Sequence, residues 1–102
     1  MTPPLFELTA AARLDLLEIW NYLGESESLE RADRIVLHIE QAIERVAAQP
    51  SLGHLRRDLT RRRLLFYGVH SYLIVYRPRT SPLHVLRILH ASRDISGLLA
   101  DN

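Results

Sequence analysis

The chain has 102 residues, 47% hydrophobic and 25% charged, the composition of one small globular domain (1–102) rather than a disordered tail. It has no cysteine, which rules out a disulfide framework or a thiolate centre and suits a reducing compartment. The formal net charge of +1 excludes a uniformly acidic or basic protein, but it averages two unlike halves.

The opening residues, Met1 to Glu7, have neither the basic nor the apolar region of a secretory signal, and no apolar run reaches the ~18 residues of a membrane span. A soluble cytoplasmic protein with no membrane partner is expected. Leu5-Phe6-Glu7-Leu8, after the Pro3-Pro4 pair, reads as a short strand. Thr9 is a plausible N-cap, because its hydroxyl can accept from an orphan N–H of the following turn. Ala12, Leu16, Ile19 and Leu23 recur at helical spacing, with Leu17 and Trp20 widening the stripe, so a helix is expected from Ala10 to about Leu23. Leu16, Ile19, Trp20 and Tyr22 form its expected packing face, and Asp15 is expected to cap or pair locally. Gly24 and the polar run Glu25-Ser26-Glu27-Ser28 are expected to separate it from the next helix.

The second helix is expected from Leu29 to Gln49, with Ala32, Ile35, Ile39, Ala42 and Val46 as its buried stripe and Val36 and Ile43 beside it. Pro50 stops it, and the two helices make an antiparallel hairpin. After Pro50 the apolar pattern changes. Residues 63–67, 71–77 and 83–90 read as three strands, rich in β-branched and aromatic residues, with turns at Gly68-Val69-His70 and Pro78 to Pro82. From Ser92 the chain fits a short helix or a loose tail. The expected class is α+β, in the order β-α-α-β-β-β, with the helix hairpin on one face of an antiparallel sheet.

Chemistry is narrowed by what is missing. No Gly-rich phosphate loop is present. The five histidines, 38, 54, 70, 84 and 90, show no HExxH-type spacing, so neither a metal nor another cofactor is expected. Carboxylates are sparse after Glu44, which disfavours a paired-acid site. What remains is arginine. Residues 1–50 hold 4 Arg and 9 acids, residues 51–102 hold 9 Arg and 3 acids, and no basic residue is Lys. The planar guanidinium fork suits phosphate and carboxylate, so Arg61, Arg62, Arg63, Arg77, Arg87 and Arg93 are expected to converge on a binding surface. Tyr67, Tyr72 and Tyr76 offer stacking area for bases.

Several short motifs then fall into one pattern: Leu8-Thr9-x-Ala11-Ala12-x-x-Asp15-Leu16-x-x-Ile19-Trp20-x-Tyr22, Ala32-Asp33, Ile39-Glu40-x-Ala42, Pro50-x-Leu52-Gly53, Tyr72-x-Ile74-x-Tyr76-Arg77 and Arg87-Ile88-Leu89-His90-x-x-Arg93-Asp94. Together they make the chain resemble the RelE/ParE superfamily of toxins from type II toxin–antitoxin modules, and more closely its ParE branch. The resemblance implies a strand, two helices and three strands, and a cognate ParD-like or other antitoxin forming a heteromeric complex.

It also implies one of two activities. ParE-like members poison DNA gyrase without chemistry of their own; RelE-like members cut mRNA on the ribosome. A nuclease here would rely on His90, Arg63, Arg77 and Arg93, but the chain lacks the lysines of the RelE pattern and has no tyrosine after Tyr76. The gyrase-directed reading is therefore preferred, with Arg61, Arg62, Arg63, Tyr76, Arg77, Arg87, His90 and Arg93 as the surface that meets target or antitoxin. The remaining alternative is a non-toxic member that only binds an antitoxin.

Overall fold

The structure, a computed structural model, describes residues 5–100; the Pro3-Pro4 pair and the last residues of the expected tail, Asp101 and Asn102, lie outside them. The elements run β1 (Phe6–Leu8), α1 (Ala10–Ser26), α2 (Leu29–Ala48), a 3-10 turn (Pro50–Leu52), β2 (His54–Leu55), β3 (Leu65–Val69), β4 (Tyr72–Tyr76), β5 (Leu83–His90) and α3 (Ile95–Leu99). The α+β class and the expected order hold, with two additions: the two-residue β2 is too short to show an alternating pattern, and α3 settles the segment after Ser92.

Thr9 caps α1 as expected, its hydroxyl accepting from the Ala12 N–H at 3.0 Å. Gly24 does not end the helix, which continues to Ser26. A Cβ at Gly24 would stand 3.2 Å from the Leu29 side chain, so the missing side chain lets the start of α2 pack close. Ser28 then caps α2 through the Arg31 N–H at 3.0 Å. Pro50 ends α2 where its pattern predicts, since proline cannot supply the next helical donor.

The sheet has the order β1-β5-β4-β3-β2. Strands β2 to β5 are antiparallel neighbours, but β1 lies parallel to β5, with Phe6 opposite Leu83 and Leu8 opposite Val85. The wholly antiparallel expectation is corrected at that edge. The chain leaves β1 straight into the helix layer and returns to its side only after the meander, running in the same direction. β3 begins two residues later than expected, and its turn shortens to His70-Ser71, with His70 at φ 53°. That conformation suits a two-residue hairpin turn.

α1 and α2 cover one face of the sheet. Ile19, Leu23, Ile35, Ile39, Ile43 and Val46 pack there against Ile74, Tyr76, Val85 and Ile88. The other face carries a smaller apolar cluster, Leu64, Phe66, Val75 and Leu89 under Ile95 and Leu99 of α3.

Candidate functional site

Where β1 stops, side chains of α1 take over the free edge of β5. The Thr9 hydroxyl donates to the Leu86 carbonyl at 2.7 Å. The Asp15 carboxylate accepts from the Ile88 N–H at 2.9 Å and from two nitrogens of Arg87, each at 2.8 Å. Asp15 is buried and Arg87 largely covered. The bond to Asp15 holds the Arg87 guanidinium above its ordinary pKa, against an opposing effect of burial. Asp15 therefore pairs across the fold rather than locally, and Arg87, expected on the binding surface, is committed to a structural bond.

Tyr76 is a second correction. It is fully buried, and its hydroxyl donates to the Pro50 carbonyl at 2.6 Å and accepts from the Gly53 N–H at 2.9 Å. A Cβ at Gly53 would collide with that hydroxyl. Burial pushes the Tyr76 phenol up, with the Gly53 bond opposing it. Tyr72 is buried as well. Neither ring is available to stack on a base.

The remaining expected residues do not meet at one place. Arg77 stands where β4 ends, its N–H bonded to the His84 carbonyl at 3.0 Å, and Arg63 lies just before β3 at the same end of the sheet. His90 pairs with Tyr72 at the opposite end. His84 and His90 are six strand residues apart, roughly 20 Å at ~3.3 Å per residue. Arg61 and Arg62 sit elsewhere again, around a hollow of about 430 Å³ beside α3, with Arg57, Thr60 and Leu99. The neighbouring Arg56 is engaged by a two-pronged bond to Asp58 at 2.9 and 2.8 Å. That bond raises the Arg56 pKa and lowers that of Asp58. Among the described residues, Arg57, Arg61, Arg62, Arg63, Arg77 and Arg93 have no acidic partner.

His90 and Arg93 do share a site, an open cleft of about 450 Å³ between α1 and the end of β5. Glu18 and Tyr22 of α1 and Tyr72 of β4 line its other walls. The His90 ring meets Tyr72 edge to face, with centroids 5.2 Å apart. Its Nδ1 accepts the Ser92 N–H at 3.1 Å and lies 2.7 Å from the Ser92 hydroxyl, so the neutral ring carries its proton on Nε2. Burial pushes the Tyr72 phenol up, reinforced by Tyr22 and Glu27. Tyr22, assigned above to the packing face of the first helix, is 66% exposed. Its spacing of seven from Asp15, two helical turns, is the signal that places it on the cleft side.

Among the described residues no cluster of three or more metal-ligating side chains occurs, and no helix is long and apolar enough to cross a membrane.

With this geometry in hand, a family profile described as "ParE toxin of type II toxin-antitoxin system, parDE" matches residues 6–95. A search of curated proteins by sequence gives no match. The fold is similar to a solved chain described as "Chromosomal ParDE TA system from P. aeruginosa". The TM-score is 0.71 at 17% identity, covering 83% of this chain and 92% of that one.

Proposed function

The chain belongs to the ParE family of toxins from type II toxin–antitoxin systems, and from that premise we propose that it arrests growth by binding and poisoning DNA gyrase in the cytoplasm, performs no chemistry itself, and is neutralised by a cognate antitoxin. The single observation that carries the choice is the dispersal of the residues a nuclease would need. RNA cleavage requires a base for the 2′-hydroxyl, an acid for the leaving oxygen and cations for the phosphate within reach of one phosphodiester. Here Arg63 and Arg77 stand at one end of the sheet and His90 and Arg93 at the other. The His90 lone pair is also occupied by the Ser92 N–H.

A surface that grips a large protein does not need convergence. Arg61, Arg62, Arg63, Arg77, Arg93 and His90 are distributed over such a surface, and we assign to them the contacts with target or antitoxin.

The test is a gyrase supercoiling and DNA-cleavage assay with antitoxin-free protein whose folding is checked by circular dichroism. Lost supercoiling or trapped double-strand breaks are expected. A folded, active toxin that leaves gyrase untouched and cuts ribosome-bound mRNA overturns the proposal in favour of the RelE-like reading. Replacing both Arg77 and Arg93 by Glu is expected to abolish growth arrest with the circular dichroism spectrum unchanged; retained toxicity removes those arginines from the contact surface.

A further inference from the structure

His38 lies on α2 and His70 in the turn between β3 and β4, 32 positions apart. Nδ1 of His38 and Nε2 of His70 approach to 2.7 Å. The ring planes are within 12° of each other with centroids 5.0 Å apart. That separation matches the nitrogen contact plus the two ring radii, so the rings lie end to end in one plane rather than face to face. Two ring nitrogens are aimed at each other across a gap that holds one proton, one donating and the other accepting. The backbone supplies an independent observation. His70 is exposed and sits at φ 53°, a turn position where glycine or asparagine carries less strain. Packing does not call for an imidazole there.

We infer that His38 and His70 form a surface site for one divalent transition-metal ion of the zinc, nickel and copper class. Imidazole nitrogen is the ligand these ions share. Two zinc–nitrogen bonds of about 2.0–2.1 Å meeting at a tetrahedral angle hold their nitrogens roughly 3.4 Å apart, with each ring turned by ~35° from the end-on line. The pair must therefore open by ~0.7 Å from its present 2.7 Å, which side-chain rotation at the surface provides. The ring that carries the shared proton moves it to its other nitrogen, so both inner lone pairs face the ion and water completes the coordination. The bound ion would fasten α2 to the turn that leads into Tyr72 and the cleft. Sequence spacing gives no hint of this site, because the fold alone brings the two positions together.

The test is calorimetric titration of tag-free protein with zinc chloride and with nickel chloride. One ion per chain is expected, with affinity falling about tenfold or more in His38→Gln and in His70→Asn and unchanged in His84→Gln. Asparagine tolerates the left-handed backbone at position 70, so that variant keeps the turn, as circular dichroism will verify. No binding at millimolar metal, affinity in both variants equal to that of the unaltered protein, or one ion per two chains would each overturn the inference.

Discussion

Among the described residues, two long helices bury fifteen side chains in a continuous core on one face of the sheet; on the other, a five-residue helix and an irregular loop bury six. The difference extends to the polar groups. Beside the helix-covered face, Asp15 with Arg87, Tyr76 with Pro50 and Gly53, and Trp20 with Asp33 at 2.8 Å are each committed to a partner within the fold. Beside the second face, Arg57, Arg61 and Arg62 make no ion pair among the described residues, around a hollow whose one acid, Asp58, is held by Arg56. Apart from the open cleft at His90 and Arg93, the helix side is closed on itself, while the thinner side keeps charge available for something else.

The largest effect expected is on the closed side. Tyr76→Ala removes a fully buried ring and strands the Pro50 carbonyl and the Gly53 N–H, so a loss of about 4–5 kcal/mol in urea unfolding is expected. Asp15→Ala leaves a mostly covered guanidinium and the Ile88 N–H without their acceptor, and about 3 kcal/mol should go. A double change of Asp15 and Arg87 to leucine is expected to recover part of that loss; equal destabilisation would mean the pair is held by something other than its charge.

On the thinner face, Leu99→Ala is expected to cost about 2 kcal/mol, near the lower limit for a buried leucine, because a short terminal helix can settle into the space. Glutamine at Arg57, Arg61 and Arg62 together should change stability by no more than ~0.5 kcal/mol while weakening target or antitoxin binding. A large stability loss there would erase the contrast between the faces.

The smallest effect is alkaline. Burial raises the Tyr72 and Tyr76 phenols in the folded state, so the stability they contribute is full below the unfolded tyrosine value of about 10 and is lost as pH rises through their folded values. Absorbance at the phenolate band should show both ionising late.

The residues that make the family legible are largely the ones the fold consumes. Asp15, Trp20, Asp33, Pro50, Gly53, Tyr76, Arg87 and Asp94 all stand in the recognisable motifs, and all take part in bonds or close contacts that close the structure. A motif made of clasps identifies an architecture, so the α+β order, the two long helices and four of the five strands can be read from the sequence.

It says little about where unconstrained side chains point. Tyr76 and Arg87 read as surface because tyrosine and arginine usually are; partners 26 and 72 positions away turn them inward. The arginines were expected to converge because strand neighbours do, but the antiparallel register sends Arg77 and His90 to opposite ends. The parallel pairing of β1 with β5 was hidden for a related reason: hydrophobic alternation reports burial, not strand direction. His38 and His70 have no sequence signal that links them.

The edge that α1 completes on β5 has a consequence for how the protein is made. Thr9 and Leu86, whose side-chain bond seals that edge, are 77 positions apart. A ribosome adding about 5–20 residues per second needs roughly 4–15 s to travel between them. Through that interval β1 has no neighbouring strand, and until β3 and β4 are made the helix hairpin has no sheet to lie on, so its apolar stripe faces water or whatever else is at hand. Synthesis itself opens a timed window in which the chain exists but the folded toxin does not.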